Sequence, residues 1–242
     1  MRTIRIFQPG DYQAEQTIQL TPEAGQHVGV VLRMWEGEPL TLFNGDNYEY
    51  QATIIEIHKK KVLIKIDSRR LVNRESGRII HLTQAVSKGD RMEMVVQKAV
   101  ELGVSSITPV ITEHCAVKLD QERSQKKCQQ WQAIAVAACE QSGRNVVPVV
   151  NPMISFSQFL AQPHADLNFV LYPEAQKNWR TYQFAECSIG LIIGPEGGLS
   201  SNEIAQLFTA GFQPLSLGPR VLRTETAAIT ALSVLQAVCG DL

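Results

Sequence analysis

The chain has 242 residues, 44% of them hydrophobic and 19% charged, with a formal net charge of −1 at pH 7. That is the composition of a globular protein, long enough for one large domain or two small ones. No apolar run approaches a membrane span, no signal pattern opens the chain, and its five cysteines include no Cys-x-x-Cys. The expectation is therefore a soluble cytoplasmic protein with reduced thiols and no metal site.

Residues 1–70 read as short strands and turns. Ile4, Ile6 and Phe7 begin a strand, and Thr21-Pro22-Glu23 has the N-cap, first-turn proline and early acid of a helix start. Leu40 to Phe43 is a second strand that ends at Asn44-Gly45, a hairpin signal because both residues tolerate positive φ. Tyr48 to Ile57 and Val62 to Ile66 continue the pattern, so a small β-barrel with one helix is predicted.

The polar segment Asp67 to Gly77 is the linker candidate, and beyond it strands alternate with helices. Strands are predicted at Ile79 to Leu82, Ile107 to Ile111, Val146 to Val150 and Asn168 to Leu171. One helix starts at Asp90, carries Val95, Ala99 and Leu102 on one face and stops at Gly103. A longer one covers Asp120 to Gln141, with Trp131, Ile134, Ala135 and Ala138 as its stripe. Ser200-x-x-Glu203 has the form of a capping box, and Thr224 is placed as the cap of a final helix through Val238. The fold class is α/β with a mainly parallel sheet over residues 71–242, following a small β-domain over residues 1–70.

Charge is unevenly spread. Beyond residue 130 the only cations are Arg144, Lys177, Arg180, Arg220 and Arg223, whereas Lys59, Lys60, Lys61, Lys65, Arg69, Arg70, Arg74 and Arg78 lie close together. That cluster is either a solvated hairpin face or a phosphate-facing patch. His114-Cys115 has no second Cys/His pair at metal-ligand spacing and reads as a strand end.

Two turns carry the chemistry: Gly194-Pro195-Glu196-Gly197-Gly198-Leu199-Ser200 and Leu217-Gly218-Pro219-Arg220-Val221-Leu222-Arg223-Thr224-Glu225-Thr226. Each follows an apolar run and precedes a helical segment, so both place main-chain groups at the C-terminal edge of the sheet. Neither G-x-G-x-x-G nor a Walker A sequence is present. Gly194, Gly197, Gly198 and Gly218 let backbone approach a ligand, while Leu217, Val221 and Leu222 suit a flat heterocycle.

These two motifs closely resemble the last third of the SPOUT methyltransferases, specifically the bacterial 16S ribosomal RNA uridine-N3 methyltransferases. The resemblance extends to Arg2-Thr3-Ile4-Arg5-Ile6-Phe7, to His27 through Arg33, to Gln97 through Val104 and to Ala138 through Arg144. It implies a trefoil-knotted catalytic domain over 71–242 and a PUA-like RNA-binding domain over 1–70. It also implies S-adenosylmethionine as cofactor, 16S rRNA of the 30S subunit as partner, and a homodimer. Pro195, Glu196 and Thr226 join those four glycines and Leu217, Val221 and Leu222 as expected cofactor contacts. Arg2, Arg5, Arg33, Lys59, Lys60, Arg69, Arg70, Arg74 and Arg144 are the expected RNA contacts.

Methylating uridine N3 requires loss of a weakly acidic proton and stabilisation of the charge left on the flanking carbonyls. Arg223 and Arg220 suit that role or phosphate binding. Glu196 is a candidate base or a loop anchor, and Glu225 a base or a helix-start acid. Methylation at another rRNA or tRNA position, and a non-catalytic RNA-binding assembly factor, are the alternatives.

Overall fold

The computed structural model describes residues 4–58, 61–117, 120–184 and 188–242; Arg2, Lys59 and Lys60 lie outside the described residues. The chain divides into two compact units. One comprises Met1–Glu75 with Cys139–Val147, the other Ser76–Ala138 with Pro148–Leu242.

The first unit is built on β1 (Ile4–Phe7), β2 (Thr17–Gln19), β3 (Pro39–Phe43), β4 (Tyr48–His58) and β5 (Lys61–Leu71), in the sheet order β1-β3-β4-β5-β2. Only the β1–β3 pair is parallel. Alternation sends Val62, Ile64 and Ile66 of β5 into one core with Ile6, Leu40, Leu42, Ala52 and Ile54. Helix α1 (Pro22–Gln26) starts where the sequence predicts, its Thr21 hydroxyl accepting the Ala24 N–H at 3.3 Å, and runs into a π-helical turn over His27–Val31. The predicted linker is in part a strand, since β5 continues through Leu71 with Arg69 opposite Tyr50 and Arg70 opposite Glu49. Polar side chains hold it there: the Arg69 guanidinium stands 5.3 Å from the Tyr48 ring centroid, and Arg70 pairs with Glu49. Hydropathy does not register such interactions.

The second unit holds β6 (Ile80–Ala85), β7 (Ser106–Ile111), β8 (Val149–Val150), β9 (Ile154–Ser155), β10 (Leu167–Leu171), β11 (Ile189–Ile193) and β12 (Gln213–Leu215). They form one sheet in the order β12-β10-β11-β6-β7-β8, with β9 also on β7, and every pair is parallel. A parallel sheet needs crossovers and burial on both faces. Helices α2 (Arg91–Glu101), α3 (Gln121–Ser142), α4 (Phe156–Leu160), α5 (Ser201–Thr209) and α6 (Thr224–Cys239) accompany it, and Ile80, Leu82, Phe169, Val170 and Leu191 to Ile193 are buried. Helix α2 ends at Gly103, whose φ of +77° is the left-handed stop the sequence predicts. β8 starts later than predicted because Asn145 and Val146 bond to Val72 and Glu75 in the first unit. Among the described residues no helix is long and apolar enough to cross a membrane.

Candidate functional site

β12, β10 and β11 are neighbours in the sheet, and their C-terminal ends open together on a cavity of about 580 Å³. Leu171 and Tyr172 leave β10 there, Ile193 to Glu196 leave β11, and Leu215 to Gly218 leave β12. Both Gly-Pro turns therefore wall one space. Of the expected cofactor contacts, Gly194, Pro195, Glu196, Gly198, Leu217, Gly218, Val221 and Leu222 line it. Gly197 and Thr226 do not. Gly197 backs onto His114, where an added Cβ would come within 3.0 Å of the His114 Cβ. Thr226 is exposed on α6, one position round the helix from the lining residue Glu225.

The first turn is held from three sides. The Glu196 carboxylate takes the Arg91 guanidinium at 2.5 Å and the Lys88 N–H at 3.0 Å. Burial alone would raise the Glu196 carboxyl; its own N–H, that of Lys88 and the Arg91 charge outweigh burial and hold it below the ordinary value. His114 Nδ1 lies 3.1 Å from the Gly197 carbonyl and 3.2 Å from that of Gly198. Beneath, the Thr224 hydroxyl donates to the Gly194 carbonyl at 2.7 Å and accepts from the buried Gln84 amide at 2.9 Å. Thr224 is thus no helix cap: Arg223 occupies the cap position, and its carbonyl takes the Ala227 N–H. The capping box of α5 is present, and Glu203 also accepts the Glu113 N–H at 2.9 Å, which fixes the His114 segment.

The second turn carries the free charge. Arg220 and Arg223 line the cavity and are exposed, and among the described residues neither makes an ion pair. Arg223 sits at the N-terminus of α6, where the helix dipole adds positive potential.

The cavity fits S-adenosylmethionine. Gly198 (φ +73°) and Gly218 (φ +125°) hold left-handed conformations with open space where a side chain would stand, so a ligand can lie against main chain. Leu199, Leu215, Leu217 and Leu222 supply apolar walls for a heterocycle. Glu225 Oε2 is buried with no hydrogen-bond partner among the described residues, an acceptor suited to a ligand hydroxyl or ammonium.

Sequence reasoning missed Arg91, Tyr172, Glu174 and the His114 clasp. Arg91 reads locally as a surface charge on the first turn of a helix, and its partner is 105 residues away. The His114-Cys115 pair is visible in the sequence, but Cys115 turns to Thr112 instead, with Sγ 3.3 Å from the hydroxyl.

The expected RNA contacts separate by environment. Arg33, Arg69 and Arg70 are exposed. Arg5 is largely buried, bonded to Glu49 at 2.5 Å and Asn145 at 2.7 Å, and Arg74 reaches the same Glu49 at 2.6 Å. Arg144 is 6% exposed and grips Glu75 through Nη2 at 2.5 Å. Arg5 and Arg144 thus neutralise the buried Glu49 and the half-buried Glu75 within the first unit, which leaves them poorly placed to meet a polyanion.

Comparison with known proteins gives two family matches: an RNA methyltransferase domain over residues 74–236 and an RNA methyltransferase PUA domain over residues 20–67. The ribosomal RNA small subunit methyltransferase E of Buchnera aphidicola subsp. Schizaphis graminum is 36% identical, over 100% of this chain and 98% of that one. The Bacillus subtilis protein of the same name is 34% identical, over 90% and 89%. Among solved structures, a Neisseria gonorrhoeae ribosomal RNA small subunit methyltransferase E bound to S-adenosyl methionine matches with TM-score 0.92 and 36% identity over the whole of both chains. A Legionella pneumophila chain solved with the cofactor SAM matches with TM-score 0.98 and 58% identity, again over both whole chains.

Proposed function

The chain belongs to the ribosomal RNA small subunit methyltransferase E family, and from that premise we propose that it moves a methyl group from S-adenosylmethionine to N3 of a uridine in 16S rRNA. The observation that carries the reading is the pairing of two glycine turns around one cavity with two unpaired arginines on its wall.

When bound, the cofactor supplies an electrophilic sulfonium methyl and a neutral thioether leaving group, so no metal is needed. The chain's own residues have two tasks. The first is to hold the cofactor in line with the attacking nitrogen, which the pinned turn at 194–199 and the leucine walls accomplish. The second is to favour the uridine anion. As N3–H gives its proton to solvent, negative charge spreads onto the carbonyl oxygens at C2 and C4, and guanidinium groups at Arg223 and Arg220 stabilise it. Glu196, held below its ordinary carboxyl value by Lys88 and Arg91, is a poor base and serves as the anchor of the turn.

The first unit is the proposed RNA grip, through Arg33, Arg69 and Arg70. The substrate is proposed to be the 30S particle in the cytoplasm. A homodimer is also proposed: Val221 is 82% exposed beside the cavity and Val238 of α6 is 40% exposed, apolar surface of the kind that partner subunits cover. Calorimetry tests the site. S-adenosylmethionine and S-adenosylhomocysteine should bind while NAD and ATP do not, and the reverse pattern overturns the reading.

A further inference from the structure

The second unit has another cavity, of about 340 Å³, at the opposite ends of the strands. Asn168 of β10, Gly190 of β11, His81 of β6 and Ser106 of β7 stand in one row across four adjacent strands. Two residues further along, Thr83 and Thr108 follow on the same face. A parallel sheet covered on both faces is ordinarily apolar along its strands, so a row of hydrogen-bonding side chains there calls for a reason. The row is also shaped. A Cβ at Gly190 would come within 2.2 Å of Asn168 Oδ1, so glycine at this position is what lets the amide lie across the floor.

The polar groups are only partly used. His81 Nδ1 lies 2.7 Å from Ser106 Oγ, Asn151 Nδ2 donates to Thr108 at 2.8 Å, and Asn168 Nδ2 donates to the Ala165 carbonyl at 2.6 Å. That leaves His81 Nε2, Thr83 Oγ1, Asn151 Oδ1 and Asn168 Oδ1 without partners among the described residues, and none of the four is sealed from solvent. Phe159 and Phe212, 5.8 Å apart, form an aromatic wall together with His164, 5.0 Å from each. No Lys, Arg, Asp or Glu side chain is among the described lining residues. Burial keeps the His81 imidazole below its ordinary value, so it too is neutral at pH 7.

We propose that this cavity is a second ligand site, for an uncharged planar heterocycle of nucleobase or nucleoside class. An aromatic wall beside a row of unpaired donors and acceptors matches a ring with a hydrogen-bonding edge, and the volume lies at the small end of ligand pockets. The absence of a cation among the described lining residues selects the free base or nucleoside over a nucleotide or an RNA strand. The proposal does not rest on methyl transfer.

The test is calorimetry on the full chain with the first cavity blocked by saturating S-adenosylhomocysteine. Uridine, cytidine, adenosine and guanosine are compared with their 5′-monophosphates and a trinucleotide. At least one nucleoside should bind with unit stoichiometry, and its monophosphate should bind at least tenfold more weakly. Thr83→Val and Asn168→Ala should each weaken the nucleoside at least fivefold while S-adenosylhomocysteine affinity holds. If Asn168→Ala melts early, the isosteric Thr83→Val carries the test alone. Silence from all four nucleosides, equal or tighter binding of a monophosphate or trinucleotide, or indifference to Thr83→Val overturns the assignment. Failure of S-adenosylhomocysteine itself to bind would count against the methyltransferase reading instead.

Discussion

Arg91 Nη1 lies 2.5 Å from Glu196 Oε1, tying the first residue of α2 to the first glycine turn of the cofactor cavity. Glycine-rich backbone gains the most freedom when released, so a turn of this composition needs external fixing if it is to meet a ligand preformed. The Lys88 N–H with Arg91, His114 and Thr224 provide that fixing from three separate segments.

Arg91→Ala should therefore weaken S-adenosylmethionine binding by about fivefold. The pair is half-exposed, and such pairs are worth up to about 1 kcal/mol. Arg91→Lys should recover part of the loss, and RNA affinity should not change. Calorimetry with the cofactor, and filter binding with RNA, check both statements.

Arg223→Ala should bind cofactor and RNA nearly as wild type and lose catalytic rate by roughly 10²-fold or more, the usual effect of removing one charge-stabilising donor. Single-turnover methylation of 30S particles at saturating cofactor reads the rate directly. A normal rate with weakened RNA binding would make Arg223 a phosphate-binding residue.

In the first unit, arginines of one sequence type divide into two roles. Arg33→Ala, Arg69→Ala and Arg70→Ala combined should weaken RNA binding and reduce the salt slope of log affinity by about 2 to 3 units, at roughly 0.7 to 0.9 for each phosphate no longer neutralised. Arg144→Ala should instead lower stability by about 1.5–3 kcal/mol, because it removes a charge-assisted hydrogen bond from the half-buried Glu75 carboxylate. Salt-dependent binding isotherms and urea melts separate the two.

This division marks how far the sequence can be read. Both Gly-Pro turns, the capping box at Ser200 and Glu203, the helix stop at Gly103 and the alternation in β5 depend on neighbours a few residues apart, and all are legible. Arg144 and Arg69 look alike in sequence; only the fold brings Glu75 to one and Tyr48 to the other. Residues 139–147 belong with the first 75 for the same reason: Asn145 and Arg144 answer Arg5 and Glu75, and no local pattern announces pairings across such separations. Thr224 escapes a local reading because a threonine before a helix ordinarily caps it, whereas here the hydroxyl serves Gly194 and Gln84.

Acid should probe Glu49. Burial alone would raise this carboxyl, but the hydrogen bond from Arg74 and the charges of Arg5 and Arg74 outweigh it, so the folded value lies below the ordinary 4.5. A depressed carboxyl stabilises the fold above its unfolded value and loses that contribution as pH falls through the folded one. Glu49→Gln should be less stable at pH 7, and its stability should fall less steeply than wild type below pH 4.5. Urea midpoints across that range check the sign.

The most direct test of the central claim is nucleoside mass analysis of 16S rRNA. Small subunits from a strain lacking the corresponding methylation are incubated with the protein and S-adenosylmethionine, then digested and resolved. One equivalent of N3-methyluridine per 16S molecule, absent without protein and lost with Arg223→Ala, is the expected result. Methylation of another base or of a ribose, or no methylated nucleoside above the untreated control, would contradict the account.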